Sequence, residues 1–132
     1  MCQARRMTAG GMTAYTPAQV VEETGLSIDT LRYYEKSGLL DPVDRDAAGR
    51  RRFTDQHLEQ LSVARCLRES GMPVADVARY AELVRAGDHT IDERVELLRE
   101  HGRRVQAQIA SLRQQQRYIE RKVAYYQSVR RP

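Results

Sequence analysis

Three consecutive arginines, Arg50–Arg52, are the densest run of chemistry-bearing side chains in this sequence. A guanidinium group is planar and always charged, and its forked donors fit two oxygens of a phosphate or a carboxylate. Such a run is also compatible with a charged strand that faces only solvent. Contacts to phosphate groups are favoured if the surrounding elements bring the run to the surface of a nucleic acid.

The cysteines and histidines offer little for catalysis. Two cysteines are too few for a disulfide framework, and no CxxC or HxxxH spacing suggests zinc. The three histidines are scattered, and none stands at a spacing that connects it to Cys66 as a base. We therefore expect no enzyme, no bound metal and no cofactor.

Charge and length limit the class of protein. The 132 residues carry 22 basic and 18 acidic side chains, a net charge of +4, and suit one small domain plus an extension. Residues 13–80 hold nine basic and eleven acidic side chains, whereas residues 81–132 hold eleven and seven. Nothing resembles a membrane span or a secretory leader, so we expect a cytoplasmic protein. The overall charge is therefore no argument for binding to nucleic acid. Such an argument must rest on where the basic side chains cluster.

Capping residues predict two short helices after a disordered tail at 1–12. Thr16 and Pro17 begin the first helix, Gly25 ends it, and Ser27 caps the second. The pair forms a helix-turn-helix over 16–36. On the second helix, a polar face is predicted opposite the apolar one, and its members are Asp29, Thr30, Arg32, Tyr33 and Lys36.

The next segment predicts a β-hairpin and two more helices. Residues 40–43 are expected to form one strand, 44–49 a turn, and 50–53 the returning strand, so that 40–53 makes a wing that carries the arginine run. Thr54 caps a third helix over 55–70, and a fourth is expected over 73–86. Residues 13–88 would thus form a winged helix-turn-helix domain.

A heptad repeat dominates the last third. Thr90 and Glu93 suggest a capping box that begins one long helix over 90–128. Its apolar positions recur with alternating spacings of four and three, and the proposed dimerisation residues are Ile91, Val95, Leu98, Val105, Ile109, Leu112, Ile119 and Val123. A stripe this narrow needs a partner helix, most economically from a second copy of the chain. The alternative is a long helix packed on its own domain.

Several short motifs together resemble the MerR family of bacterial transcription regulators. They are Tyr15-Thr16, Gly25-Leu26-Ser27, residues 30–35 (TLRYYE), Gly38-Leu39-Leu40 with Pro42, and Gly49-x-Arg51-x-Phe53. The resemblance implies a mainly α fold, with a winged helix-turn-helix dimerised through an antiparallel coiled coil. It also implies a palindromic operator in double-stranded promoter DNA, deformation of that DNA, and RNA polymerase as a partner at the promoter, hence a location at the nucleoid.

Roles follow for the polar residues on the predicted DNA face. Asp29, Thr30 and Tyr33 are expected to read base edges, while Thr16 and Ser27 lie at helix N-termini that favour a phosphate. The residues expected to hold the DNA backbone are Arg32, Lys36, Arg50, Arg51 and Arg52. Pairing of Arg32 with Glu35 or Asp29 stays open, and Tyr34 is expected in the core.

Cys66 is the residue on which a sensing function would depend. A lone cysteine in a helix is usually a small buried hydrophobe, but Arg65 and Arg68 would lower the pKa of its thiol if they approached it. Residues 66–73 and 87–101 resemble the single-cysteine AdhR/NmlR branch of the family, which implies a response to aldehydes or thiol-reactive electrophiles. The alternatives are a ligand-less architectural regulator or repressor, and a coiled-coil protein-interaction module.

Overall fold

The computed structural model describes residues 14–130, so the predicted tail at 1–12 lies outside them. Its helices are α1 (Pro17–Thr24), α2 (Ile28–Lys36), α3 (Asp55–Glu69), α4 (Val74–Ala86) and α5 (Ile91–Val129). Strands β1 (Asp44–Arg45) and β2 (Arg51–Arg52) form an antiparallel hairpin. The chain divides into two compact units, one ending at Arg94 and one beginning at Val95. The predicted mainly helical fold, with a helix-turn-helix, a hairpin and a long last helix, is confirmed.

Side-chain caps fix the ends of α1 and α2. The Oγ1 atom of Thr16 accepts from the N–H of Gln19 (3.2 Å), and the side chain of Gln19 accepts in return from the N–H of Thr16 (2.9 Å). Gly25 ends α1 with a φ of +74°, in the left-handed region that glycine adopts most easily. The Oγ atom of Ser27 accepts from the N–H of Thr30 (3.1 Å). The predicted caps are confirmed, and they make the turn between α1 and α2 short.

A small apolar core lies under these helices in the first unit. Its buried members include Val20, Leu31, Tyr34, Leu39, Leu58, Leu61, Val77 and Leu83. On α3, the buried side chains Leu58, Leu61, Ala64 and Leu67 recur every three residues, so at 3.6 residues per turn they spread over about half of the helix surface. Tyr34 is only 8% exposed, which confirms its prediction as a core residue.

The first strand of the wing begins later than predicted. Residues 40–43 were expected to form it, but β1 comprises Asp44 and Arg45. The N–H of Asp41 donates to Gln60 (2.9 Å), the N–H of Val43 donates to Glu35 (3.1 Å), and Pro42 has no N–H. Because the backbone donors of this segment are bound by side chains, the strand ladder starts only at Asp44. The predicted turn at 44–49 is correspondingly shorter.

The predicted capping box at Thr90 and Glu93 is wrong. Thr90 is buried, and its hydroxyl lies within hydrogen-bonding distance of the carbonyl oxygens of Leu83 (2.5 Å) and Gly87 (2.8 Å). Glu93 instead pairs with Arg79 at 3.4 Å. A buried hydroxyl needs a hydrogen-bond partner, and here carbonyl oxygens at the end of α4 supply it. The long helix therefore begins directly after a 3₁₀ turn at Asp88–Thr90.

Helix α5 has 39 residues, which corresponds to about 58 Å at 1.5 Å per residue. Seven of its eight predicted dimerisation residues are exposed in the single chain, from 38% at Leu98 to 63% at Leu112, and Val105 is half-buried. None of the helices within residues 14–130 is both long and apolar enough to cross a membrane.

Candidate nucleic-acid interface

The outer face of α2 presents the predicted base-reading residues together. Asp29, Arg32, Tyr33 and Lys36 are all exposed, and their spacing of i, i+3, i+4 and i+7 places them on one side of the helix. Tyr33 is 51% exposed. This face can offer hydroxyl, carboxylate and cationic groups to an external partner at the same time.

The hydroxyl groups at the start of α2 also bind each other. The Oγ of Ser27 lies 2.9 Å from the Oγ1 of Thr30, in addition to capping the helix. Thr30 is half-buried, so it offers less surface to a partner than its neighbours on the helix do. The N-terminus of α2 combines this cap with a helix dipole whose positive end favours an anion.

Arg32 and Lys36 are available cations on this face. Neither side chain forms an ion pair or a hydrogen bond with another residue of the described range 14–130. The alternative in which Arg32 pairs with Glu35 is wrong, because the carboxylate of Glu35 is bound to Arg51 at 3.1 Å. Among the described residues, Arg32 forms no ion pair with Asp29 either.

The arginine run of the wing divides into inward and outward side chains. Alternation along β2 turns Arg51 inward, where its side chain is 24% exposed, and leaves Arg52 exposed to solvent. Arg52 has no ion pair within residues 14–130, whereas Arg50 pairs with Asp46 at 3.3 Å and stays 73% exposed. Three adjacent arginines thus have three different environments.

Asp46 organises the tip of the wing. Its Oδ1 accepts from the N–H groups of Ala48 and Arg50, each at 2.9 Å. These two hydrogen bonds, the Arg50 one first, and the Arg50 guanidinium hold the pKa of Asp46 below its ordinary value of 3.8, although partial desolvation acts in the opposite direction. Asp46 therefore stays ionised near neutral pH and keeps the hairpin turn closed.

Glu35 joins α2 to both arms of the wing. Its Oε1 binds the Nε of Arg51, and its Oε2 accepts from the N–H of Val43 at 3.1 Å. Both side chains of the ion pair are mostly buried, at 22% and 24% exposed. Spacing along the chain gave no signal for this role, because Glu35 was named only within the TLRYYE motif and as an alternative partner of Arg32. We call Glu35, Arg51 and Val43 the wing clamp.

A second set of contacts anchors the root of the wing. Tyr15 and Phe53 exchange two backbone hydrogen bonds (2.7 and 2.9 Å), and the ring of Phe53, 1% exposed, packs edge-on against His57. The Nδ1 of His57 accepts from the N–H of Thr54 (3.0 Å), so its Nε2 carries the proton and donates to the carbonyl of Pro42 (3.2 Å). The wing is thereby fixed to the segment before α1 and to the start of α3.

Cys66 lies on α3 away from these contacts and is half-buried. It is not a free thiol in the structure. Arg65 and Arg68, which would act on its thiol only if they approached it, have other partners: Arg65 binds Glu69 (2.7 Å) and the carbonyl of Thr24, and Arg68 binds the carbonyl of Met72 (2.8 Å). Arg65 therefore holds the end of α1 against α3. Within residues 14–130, no group of three metal-ligating side chains could hold a metal ion.

Comparison with known proteins identifies the fold. Residues 15–83 match the model described as MerR HTH family regulatory protein, and residues 58–122 match the one described as MerR, DNA binding. The first match alone spans more than half of the chain. The chain belongs to the MerR family.

Relatives of this MerR-family protein are transcription regulators rather than enzymes. It is 44% identical over 116 residues to an uncharacterized HTH-type transcriptional regulator of Haemophilus influenzae, covering 88% of this chain and 86% of that protein. It is 33% identical over 88 residues to the HTH-type transcriptional regulator AdhR of Bacillus subtilis, covering 67% and 63%. The exclusion of an enzyme is confirmed.

One similar solved structure contains promoter DNA. The structure of HiNmlR, a MerR family regulator lacking the sensor domain and bound to promoter DNA, matches with a TM-score of 0.79 and 44% identity, covering 88% of this chain and 92% of that one. The MerR-family protein described here is accordingly a DNA-binding transcription regulator.

Proposed function

We propose that this protein binds a palindromic promoter operator as a homodimer, with α2 of each protomer in the major groove and each wing on the sugar–phosphate backbone. The observation that carries the proposal is the single exposed face of α2, on which Arg32 and Lys36 have no partner within residues 14–130. A DNA duplex offers phosphates to these cations and base edges to the side chains between them.

Individual roles follow from side-chain direction. Asp29, Thr30 and Tyr33 are proposed to read base edges, and the capped helix N-termini at Thr16 and Ser27 to face phosphates. The side chains proposed to bind phosphates directly are Arg32, Lys36, Arg50 and Arg52. For Arg51 we propose an indirect part, because its Nε is bound to Glu35 and its contribution to affinity comes through the position of the wing.

The homodimer rests on the exposed apolar stripe of α5. Side chains at a and d positions of a coiled coil are buried by a partner helix, yet Ile109 and Leu112 are 44% and 63% exposed in the single chain. A second copy covers an identical stripe and gives the twofold symmetry that a palindrome requires. Antiparallel pairing, deformation of the DNA and engagement of RNA polymerase are proposed from the family resemblance, as is action at the nucleoid in the cytoplasm.

Fluorescence anisotropy with the DNA that lies upstream of the protein's own gene tests the proposal. We expect binding at nanomolar protein, a steep loss of affinity with salt, and at least tenfold weaker binding when one half of the inverted repeat is scrambled. A coiled-coil protein-interaction module would instead show no preference between native and scrambled DNA. Equal affinity for the two duplexes contradicts operator recognition.

The finer proposal concerns the effector. We propose that an aldehyde or thiol-reactive electrophile changes the promoter response through Cys66. Support comes from the resemblance of residues 66–73 and 87–101 to the single-cysteine branch and from the similarity to AdhR. The competing proposal is a ligand-less architectural regulator or repressor.

Intact-mass spectrometry of the full chain, with and without prior reduction, decides between an electrophile response at Cys66 and a ligand-less regulator. After reduction and exposure to N-ethylmaleimide, we expect an adduct at Cys66 and altered transcription from the promoter in vitro. Cys66→Ser is expected to abolish the transcriptional response and Cys2→Ser to retain it. The ligand-less alternative is favoured if N-ethylmaleimide leaves the reduced Cys66 unmodified, or if Cys66→Ser responds like the wild type.

A further inference from the structure

A cleft between α3 and α4 lies outside the DNA-binding face. It has a volume of about 200 Å³. Its walls are mostly apolar, and the principal lining residues are Leu39, Val63, Val77, Ala81 and Val84, with the ring of Tyr80. All of these residues belong to the first compact unit. The cleft is large enough for a molecule of one ring but smaller than most drug-binding pockets.

One carboxylate oxygen in this apolar cleft has no hydrogen-bond partner among the described residues. The Oε2 atom of Glu59 is buried and forms no hydrogen bond with the described residues. An unsatisfied buried acceptor is costly, and a charged one more so, so that a donor supplied from outside gains a strong interaction. The other amide or acid group in the lining, Gln60, is already occupied because its side chain exchanges hydrogen bonds with Asp41 (2.9 and 2.7 Å).

These features define the ligand class. We propose that the cleft binds a small organic amine in its protonated form, with its ammonium group on Glu59 and a single-ring or branched apolar body against α4. Tyr80 also lines the cleft, and an aromatic side chain attracts a cation that lies over its ring. A divalent metal ion does not fit, because it needs several oxygen ligands and the cleft supplies one free carboxylate. An anion is repelled by the same carboxylate.

NMR titration of the intact, isotope-labelled protein tests the proposal with three probes of similar shape. These are phenethylamine, which is protonated at pH 7, neutral 2-phenylethanol, and anionic 3-phenylpropionate. We expect saturable amide shifts along α3 and α4 with phenethylamine, weaker ones with the alcohol and none with the anion. This readout needs no DNA and is independent of the proposed operator.

Three variants separate charge from shape. Glu59→Gln keeps the side-chain volume and is expected to weaken phenethylamine binding about tenfold or more while leaving the alcohol unchanged, since one charge-assisted hydrogen bond is lost. Ala81→Leu fills the cleft and is expected to abolish binding of both. Glu82→Gln, on the exposed side of α4, is the matched control and is expected to bind as the wild type does.

Several outcomes overturn the proposal. Equal affinity of Glu59→Gln and wild type for phenethylamine removes the role of the carboxylate, and a lack of saturable shifts at about 10 mM probe removes the site. Shifts that appear only after the two copies are separated by charged substitutions at Ile109 and Leu112 show that a second copy covers the cleft, which also refutes a ligand site in the native protein. If Glu59→Gln does not fold, the relative affinities of the three probes for the wild type still test the proposal. Equal affinity for phenethylamine and 2-phenylethanol is then the refuting result.

Discussion

The unit that ends at Arg94 and the helix that follows from Val95 use their side chains in opposite ways. In the first, apolar residues are buried and charged residues bind each other across elements, as in the pair of Glu35 with Arg51. In the second, apolar residues such as Leu112 are exposed, and the ion pairs of Arg103 with Glu96 and Glu100 are local to the helix surface. The first unit has a core of its own, whereas none of the apolar side chains in the described part of the second, residues 95–130, is buried.

This difference indicates where partners act. Exposed ion pairs such as that of Arg103 are screened by solvent and contribute little, so they do not hold a 39-residue helix in place by themselves. A long helix is stable when its apolar face is packed against another element. The proposed second copy would cover the apolar face of α5. The unit that ends at Arg94 instead depends on internal clamps, and it leaves Arg32, Lys36 and Arg52 without an ion pair among residues 14–130.

Breaking the stripe of α5 is expected to have the largest effect. Ile109→Asp combined with Leu112→Asp places four carboxylates in the proposed dimer interface and is expected to yield monomers at about 10 μM protein. Operator affinity is expected to fall about 100-fold or more, because two linked half-sites bind far more tightly than one. Sedimentation velocity and anisotropy measure the two effects.

Ser111→Asp is the control for that experiment. Ser111 lies between the two stripe positions but on the outer side of the repeat, and it is exposed in the single chain. It is expected to keep the dimer and its affinity. Monomeric wild-type protein at 10 μM, or a dimeric double variant, would refute the role of the stripe.

Breaking the wing clamp is expected to have the second-largest effect. Glu35→Ala removes both the ion pair with Arg51 and the acceptor of the Val43 N–H, whereas Arg51→Ala removes only the first. We expect both to destabilise the chain, Glu35→Ala by about 1 kcal/mol more because an unpaired N–H remains. Both are expected to weaken operator binding about tenfold, since a displaced wing loses its phosphate contacts.

Urea denaturation of the two single variants and the double variant measures this coupling. If Glu35 and Arg51 act as a unit, the double variant loses less stability than the sum of the singles, by about 0.5–1 kcal/mol. Additive losses would mean that the pair does not hold the wing. Arg79→Ala, which breaks the exposed pair with Glu93, is the control and is expected to leave operator binding unchanged.

What the sequence predicted and what it missed follow the same division between local and distant contacts. Caps at Thr16, Ser27 and Thr54 depend on groups within three residues, so residue type alone predicted them. The start of the wing was wrong because its N–H groups are bound by Gln60 and Glu35, side chains from other elements.

The site residues divide in the same way. The exposed face of α2 follows from helical periodicity, so its residues could be grouped from the sequence. The different environments of Arg50, Arg51 and Arg52 could not, because the direction of each side chain depends on the register of the hairpin and on Glu35. The capping box at Thr90 failed for a tertiary reason as well: a buried hydroxyl bound the end of α4 instead of the start of α5.

A third prediction separates direct from indirect phosphate binding within the arginine run. Arg52→Ala is expected to weaken operator binding a few-fold and to reduce the slope of log affinity against log salt by about 0.9, the value for one released phosphate contact. Arg51→Ala is expected to lower affinity with a smaller change in slope. Anisotropy between 50 and 300 mM salt measures both, and an unchanged slope for Arg52→Ala would contradict its assignment to a phosphate. Arg79→Ala is again the control.

The smallest effect is expected at the tip of the wing. The pKa of Asp46 is held below 3.8 by the N–H of Arg50 first, with the N–H of Ala48 and the Arg50 guanidinium acting in the same direction. Because the pKa is lowered in the folded chain, ionised Asp46 stabilises the tip fully above its unfolded value, and this contribution is lost as the pH falls through the lowered folded value. We expect the amide signals of Ala48 and Arg50 to titrate with a midpoint below 3.8.

Asp46→Asn separates the turn from the charge at this tip. The Asn side chain retains an acceptor for the N–H groups of Ala48 and Arg50, but it loses the ion pair that occupies the Arg50 guanidinium. The acid titration of these amides should therefore disappear. Operator affinity at pH 7 should stay within about twofold of the wild type or rise, because Arg50 is released toward phosphate. A clear loss of affinity would mean that Asp46 orients Arg50 for the DNA, which would make the tip part of the same clamp system as Glu35 instead of a separate, weakly coupled turn.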